Sequence, residues 1–141
     1  MIEDVVLTPL KIIDVPGGRV FHAIKNIDPG FDDFGEAYFS EINSKKIKAW
    51  KRHREMTLNL VVPIGEICFV FHLAKQKDEF RIEKIGKNCY SRLTVPPGIW
   101  FGFKGLGTRS SLLMNVADME HDPNEVLHKS AYEYNFDWSV K

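Results

Sequence analysis

The chain has 141 residues, of which 44% are hydrophobic and 27% are charged. This length predicts one domain covering residues 1–141, and the two fractions are typical of a globular protein. Nineteen Lys and Arg residues balance nineteen Asp and Glu residues, so the formal net charge is zero. A neutral chain has no overall basic field, so we expect neither nucleic acid nor a membrane as a partner.

The two cysteines bear on the cellular compartment. Cys68 lies in an apolar run and Cys89 lies in a turn-like stretch. Two thiols without a recognisable secretion signal favour a reducing environment, because disulfides persist mainly in oxidising compartments. We therefore expect a cytoplasmic protein.

Short apolar or alternating runs follow one another along the chain and are separated by Pro- and Gly-rich turns. Such spacing is typical of an all-β sandwich or barrel. The predicted strands are Val5–Thr8, Arg19–Lys25, Gly35–Ile42, Ile47–Lys51, Thr57–Val62, Ile67–Leu73, Phe80–Ile85, Arg92–Val95, Trp100–Lys104 and Leu112–Ala117.

One short helix is predicted near the C-terminus, over Glu120–Lys129. Asp122 is a suitable N-cap and Pro123 suits the first helical position. The neighbouring His121 and Asp122 also allow a catalytic dyad, but capping is the commoner role for such a pair at a helix start.

Two polar strand segments suggest a binding cavity. Because alternate residues of a strand face opposite sides, Tyr38 and Ser40 share one face of their strand. The same period places Lys51 and His53 on one face, with Lys48, Trp50 and Arg52 on the other. Asn59 alternates with leucines on the following strand. A polar face turned into a small barrel lines a ligand cavity rather than a dry core.

Three segments carry a family resemblance: Lys48-Ala49-Trp50-Lys51-Arg52-His53, Gly65-Glu66-Ile67, and Leu93-Thr94-Val95-Pro96-Pro97-Gly98-Ile99-Trp100-Phe101-Gly102-Phe103. Together the chain, from about Asp14 to about Glu125, resembles the dTDP-4-dehydrorhamnose 3,5-epimerases. There, an Arg-Gly-Leu-His strand, a Gly-Glu turn and a Pro-x-Gly-Phe-x-His-Gly-Phe segment build the pocket. The chain is also similar to sugar-nucleotide 3,4-ketoisomerases, whose strand has the pattern Arg-Gly-x-His-x-His. The resemblance implies a cupin fold, a double-stranded β-helix or jelly-roll barrel, and a homodimer that binds a small-molecule nucleotide sugar.

The resemblance also shows departures at single positions. Lys51 stands where the epimerases have their catalytic histidine, and Phe101 stands where they have a second pocket histidine. Met119 lies near the position of their tyrosine acid. Against the ketoisomerases the match is better, because His53 aligns with the second histidine of their pair and Tyr38 with a strand tyrosine near their pocket.

Removing a proton beside a carbonyl needs a base, a proton donor and a group that stabilises the enolate. His53 has a suitable ordinary pKa for the base, and Tyr38 suits the donor. Lys51 suits the enolate, or the base if burial lowers its pKa. The alternative is that Lys51 and His53 belong to a solvated basic loop.

The same region has donors for a diphosphate. Lys48, Lys51, Arg52 and Arg54 supply them, although the arginine that the family resemblance predicts near Asp33-Phe34-Gly35 is missing. Trp50 or Trp100 could stack on a base or sugar, or belong to the barrel core. The remaining candidates for substrate binding are Asn59, Arg92 and Phe101.

We expect no metal and no cofactor. Metal-dependent cupins bring three histidines and a carboxylate, of which this sequence keeps only His53. Two functions stay open: a metal-free epimerase or isomerase acting on a dTDP-4-keto-6-deoxyhexose, and a non-catalytic cupin module that only binds a nucleotide sugar or carbohydrate.

Overall fold

A computed structural model of the protein describes residues 4–72 and 79–140. Within these ranges there is no α-helix, and hence no helix long and apolar enough to span a membrane. The strands are β1 (Val6–Pro9), β2 (Ile12–Val15), β3 (Gly18–Phe21), β4 (Glu36–Ile42), β5 (Ile47–His53), β6 (Leu58–Ile64), β7 (Glu66–His72), β8 (Phe80–Gly86), β9 (Ser91–Val95), β10 (Trp100–Gly105), β11 (Ser111–Ala117) and β12 (Val126–His128).

The strands form two five-stranded antiparallel sheets and one small hairpin. The first sheet has the order β1-β9-β6-β11-β4, the second has the order β12-β5-β10-β7-β8, and β2 pairs with β3. Strand pairing is nested, since β4 pairs with β11, β5 with β10, β6 with β9 and β7 with β8. Eight strands thus behave as one long hairpin rolled up so that its two sheets face each other.

The inner faces of both sheets form the main apolar core. Alternation along each strand turns one set of side chains inward, which is the pattern expected of packed antiparallel sheets. The large inward side chains include Leu58, Leu60, Phe69, Phe71, Phe101 and Phe103. Only those side chains of β5 and β11 that lie on these inner faces therefore reach the interior.

The all-β prediction is confirmed. All ten predicted strands are present, and only the one predicted over Arg19–Lys25 is much shorter than expected, ending at Phe21. The end predicted at Leu73 lies outside the described residues. Two strands, β2 and β12, were not predicted.

The predicted C-terminal helix is wrong. Asp122 does cap, but it caps a turn: its Oδ1 accepts from the Asn124 N–H at 2.9 Å, and its carbonyl accepts from the Glu125 N–H at 3.1 Å. The chain then continues as β12, which pairs antiparallel with β5. The backbone groups of β5 need partners at this edge, and pairing with β12 satisfies them better than an isolated helix would.

The last residues cover the outer face of the second sheet. Tyr134, Phe136 and Trp138 pack there against Trp50 and Trp100 as part of a second apolar cluster. The Lys104 ammonium fixes this C-terminal segment by donating to the Trp138 carbonyl at 2.7 Å and the Val140 carbonyl at 3.2 Å. The C-terminal segment thus holds an aromatic layer outside the sandwich.

Candidate active site

A bulge in β5 brings two lysines to the inner face. Phe101 of β10 lies opposite Lys51, whereas Phe103 lies opposite Lys48, so three steps on β5 match two on β10. Paired residues share a face, and both phenylalanines belong to the inner core. The predicted placement of Lys48 on the opposite face from Lys51 is therefore wrong, because strict alternation ignores the extra residue.

Gly102 makes room for this bulge. A Cβ at Gly102 would overlap the Cβ of Ala49 on the bulged strand. Glycine is thus the residue that lets the two backbones approach here. The alignment of Lys48 with Lys51 depends on that contact.

His53 forms a buried pair with Glu125. Its Nδ1 shares a hydrogen bond with the Glu125 Oε1, and both residues are buried. The Oε2 of the same carboxylate accepts from the N–H groups of Glu55 and Met56, each at 3.3 Å. Among the described residues, the buried Nε2 of His53 has no hydrogen-bond partner.

The charges of this pair follow from its hydrogen bonds. Burial alone would raise the pKa of Glu125, but the bonds from His53, Glu55 and Met56 outweigh it and hold that pKa below 4.5. Burial lowers the pKa of His53 below 6.5, with the bond to Glu125 opposing the shift. An ionised carboxylate only accepts, so Nδ1 carries the proton and Nε2 carries the free lone pair.

Lys51 lies beside a small cavity in the inner face. The cavity, about 30 Å³, is lined by Tyr38, Ser40, Lys51, Leu58, Leu60, Phe101, Phe103, Leu113 and Asn115. The Lys51 Nζ is 5.4 Å from the centroid of the Phe101 ring. Burial lowers the pKa of Lys51, Lys48 lowers it further, and Glu125 acts in the opposite direction.

Tyr38 is held in this cavity by Asn115. The Asn115 Nδ2 donates to the Tyr38 hydroxyl at 3.2 Å, and the Asn115 Oδ1 accepts from the Asn59 N–H, also at 3.2 Å. Tyr38 lies directly opposite Asn115 in the pairing of β4 with β11. Since the phenol oxygen already accepts, its own proton is available to a ligand.

An outer cavity of about 340 Å³ adjoins the inner one. It is lined by Ser40, Lys48, Ala49, Trp50, Lys51, Phe103 and His128, and it shares Ser40, Lys51 and Phe103 with the inner cavity. A volume of this size is within the range of small-molecule sites. The structure therefore brings Tyr38 and Lys51 to one cavity, whereas His53, two residues beyond Lys51 on the same strand face, is buried beside Glu125 and lines neither cavity.

Comparison with known proteins gives a strong match over nearly the whole chain. A dTDP sugar isomerase from Desulfovibrio desulfuricans G20 is 32% identical, with 99% of this chain and 93% of that chain covered and a TM-score of 0.91. The chain belongs to the dTDP-sugar isomerase family.

Other relatives agree with this membership, and the resemblance seen in the sequence is confirmed. The probable low-salt glycan biosynthesis epimerase Agl13 of Haloferax volcanii is 25% identical over 114 residues, which cover 74% of this chain and 73% of that protein. The sugar 3,4-ketoisomerase QdtA from Thermoanaerobacterium thermosaccharolyticum, solved with TDP, shares the fold. It has a TM-score of 0.76 and 18% identity, with 92% of this chain and 90% of that chain covered. No protein-family model matches the sequence.

Several residues predicted to bind substrate make packing contacts in this dTDP-sugar isomerase family member, although Trp50 also borders the outer cavity. The Trp50 and Trp100 rings belong to the outer aromatic cluster. The Arg52 guanidinium lies over the Trp100 ring at 5.3 Å, and the Lys129 ammonium lies over the same ring at 4.7 Å. Of the two alternatives for the tryptophans, packing is the one that the structure shows, although in the outer layer rather than the barrel interior.

Asn59 and Arg92 lie on the outer face of the first sheet, against the chain segment before β4. Asn59 donates to the Gly30 carbonyl at 3.0 Å and accepts from the Thr94 hydroxyl at 2.6 Å. Arg92, 0% exposed, donates to the Ala23 carbonyl at 2.7 Å. These side chains fix that segment to the sheet instead of lining the cavity.

Three polar residues near the cavity were not predicted as site residues. Asn115 stands out only as a polar side chain that shares the inward face of β11 with Leu113 and Ala117. His128 pairs with Lys51 across β12 and β5, and it reaches the outer cavity. Glu125 gave no signal, because the helix predicted around it hid its position beside His53.

Proposed function

We propose that this protein is a metal-free epimerase or isomerase of a dTDP-4-keto-6-deoxyhexose that removes a proton next to the carbonyl. The observation that carries the proposal is the hydrogen bond between Glu125 and His53, which lies on the same inward face of β5 as Lys51. A neutral imidazole with a free Nε2, oriented by a carboxylate, is a suitable general base. The three-residue ligand sets that a metal would require are missing from residues 4–72 and 79–140.

The roles of the residues follow from their positions. His53 takes the proton from the carbon next to the ketone. Tyr38, whose oxygen accepts from Asn115, returns a proton. Lys51 stabilises the electrons that move onto the carbonyl, and Phe101 forms an apolar wall for the sugar ring beside it.

The nucleotide would bind at the outer cavity. Lys48 and His128 line this opening and supply hydrogen-bond donors for a diphosphate, which leaves Lys51 for the sugar ketone. Known relatives support such a ligand, because QdtA was solved with TDP and, as a variant, with TDP-4-keto-6-deoxyglucose. Arg52 makes no phosphate contact in this arrangement, since its guanidinium lies over Trp100.

The nested strand pairing supports a single cupin jelly-roll domain. A homodimer is part of the proposal: β4 is an edge strand, and Phe39 on it is 62% exposed, so a second copy could cover this edge. Cys68 and Cys89 are free thiols, which supports a cytoplasmic location.

The function is tested by hydrogen exchange on TDP-4-keto-6-deoxyglucose in deuterated water, followed by NMR. The wild type should place deuterium on carbon next to the ketone, and His53→Asn should lower that rate by about 10²–10⁴-fold, the usual contribution of a general base. His22→Asn, a histidine outside the site, is the matched control and should keep the wild-type rate. Binding of the sugar nucleotide without any exchange would refute the proposal and identify a binding module.

A further inference from the structure

We propose that Lys51 forms an imine with the ketone of the sugar nucleotide, so that the electrons released on proton removal pass to nitrogen rather than to an enolate oxygen. This inference rests on the proposed function, because it needs a keto sugar in the cavity. It assigns a covalent step to the lysine that replaces the family's catalytic histidine.

The surroundings of the Lys51 amino group suit a nucleophile. Its Nζ faces the ring of Phe101 at 5.4 Å, in a cavity walled mainly by Leu58, Leu60, Phe103 and Leu113. Within the described residues it makes no hydrogen bond and no ion pair. An ammonium ion has three protons to donate, so this environment penalises the charged form.

The positive charge of Lys48 also favours the neutral form of the Lys51 amine. The bulge in β5 puts Lys48 on the same face as Lys51, and both lysines line the outer cavity. Burial first, and Lys48 second, lower the pKa of Lys51, against an opposing effect of Glu125. A desolvated lysine next to another cationic group is an established way of activating an amine for attack on a carbonyl.

A ketone can reach this amine and find a proton donor there. Lys51 borders both the outer and the inner cavity, so a sugar that occupies the outer cavity lies next to this lysine. Tyr38 lines the same inner cavity. Its hydroxyl can protonate the oxygen that must leave as water.

The proposed step balances without an oxidant or reductant. The Lys51 nitrogen adds to the carbonyl carbon, and the resulting carbinolamine, protonated on its oxygen by Tyr38, loses water to give the protonated imine. His53 removes a proton from the adjacent carbon, and the electron pair passes to the imine nitrogen, which leaves a neutral enamine. A proton then returns to that carbon from the same or the opposite side. Water finally hydrolyses the imine, so that the ketone and the free amine of Lys51 are restored.

An imine at this position narrows the reaction class. Moving the ketone from C4 to C3 through the enamine would leave the Lys51 nitrogen bonded to C4 as a stable aminoketone, and the enzyme would not turn over. Inversion at a carbon next to the ketone has no such difficulty, because the nitrogen leaves from the carbon that it entered. The inference therefore favours epimerisation over 3,4-ketoisomerisation.

Reductive trapping tests the imine. The protein is incubated with TDP-4-keto-6-deoxyglucose and cyanoborohydride at neutral pH, and its intact mass is measured. Trapping adds the mass of one sugar nucleotide less one oxygen atom, and peptide mapping should place the adduct on Lys51. The mapping uses wild-type protein, so the assignment does not depend on whether a variant folds.

Two variants complete the experiment. Lys51→Met should give no adduct, whereas the matched control Lys46→Met, an exposed lysine outside the cavity, should be trapped like the wild type. Deuterium exchange is measured on the same samples. Exchange without any adduct, or with adducts only on other lysines, would overturn the imine and leave the proposed function standing. Absence of both exchange and adduct would overturn the two together.

Discussion

The two buried histidines of the second sheet have nearly equal exposure and entirely different surroundings. His53 and His72 are 7% and 6% exposed. His53 lies on the inner face and shares a hydrogen bond with the Glu125 carboxylate. His72 lies on the outer face, where its ring stacks on Tyr134 with a centroid distance of 3.7 Å.

This contrast extends to the residues around each histidine. Lys51, two residues before His53 on the same face, borders two cavities, of which Lys48 lines one and Tyr38 the other. Around His72 the outer face carries aromatic rings that the C-terminal segment covers. Burial by itself therefore does not identify a base; the partner of the ring and an open space for a ligand do.

The largest expected effect is a loss of stability when a tryptophan on the outer face is truncated. Trp50 is 1% exposed, and its ring contacts Tyr134 at 5.2 Å and Trp138 at 5.4 Å between centroids. Trp50→Ala should lower the free energy of unfolding by about 3–5 kcal/mol, as for large-to-small changes in a core. Urea denaturation measures this loss. The deuterium exchange rate per folded molecule, measured at saturating sugar nucleotide, should be unchanged, because the Trp50 ring packs in the outer layer although the residue also borders the outer cavity.

A matched control for the outer face is Tyr132→Ala. Tyr132 belongs to the same C-terminal segment but is 95% exposed, so its removal should change the free energy of unfolding by less than about 0.5 kcal/mol. A loss of exchange in folded Trp50→Ala would mean that the outer layer also supports the chemistry, and the contrast between the two faces would fail.

A smaller effect, on the pKa of His53 and on the exchange rate, is expected when the charge of Glu125 is removed. Glu125→Gln removes the charge that opposes the burial shift of His53, so the pKa of His53 should fall further below 6.5. An NMR titration of the imidazole measures this pKa. The exchange rate should fall by about 10–100-fold, as for other groups that orient a functional imidazole.

Acid stability gives an independent check on Glu125. Its pKa in the folded state lies below the ordinary value of 4.5, so it contributes stability above that pH and loses it as the pH falls through the folded pKa. The Gln variant should lose less stability over that acid range than the wild type, by urea denaturation at several pH values. An unchanged His53 titration and an unchanged acid profile would contradict the ionised pair.

Much of the fold follows from sequence patterns that are local. Alternation and turn residues predict the ten strands because a half-buried strand must alternate. The strand β12 was missed since Asp122 and Pro123 favour a helix start locally, whereas the unpaired edge of β5 decides the outcome. That edge is a property of the assembled sheet, which a local pattern does not contain.

The site residues likewise fall into those that local patterns predict and those that depend on the assembled fold. Tyr38, Lys51 and His53 could be predicted because alternation and family resemblance both concern residues on one strand. The position of Lys48 depends on a bulge, and the pairing of His53 with Glu125 joins residues 72 positions apart in the chain. The tryptophans suggested ligand stacking as well as packing, and only the C-terminal segment over them decides between these roles.

The smallest expected effect is the loss of stability on removing Arg52, and it tests whether this cation belongs to the outer layer or to the substrate site. The Arg52 guanidinium lies over the Trp100 ring at 5.3 Å, so Arg52→Ala should lower the free energy of unfolding by about 0.5–1 kcal/mol, the usual contribution of an exposed cation–π contact. The KM for the sugar nucleotide should stay unchanged, since the guanidinium is committed to the outer face. Arg54→Ala, an exposed neighbour, should change neither quantity. A marked rise in KM for Arg52→Ala alone would show that Arg52 leaves Trp100 to hold the diphosphate, and the two faces of β5 would then share the substrate.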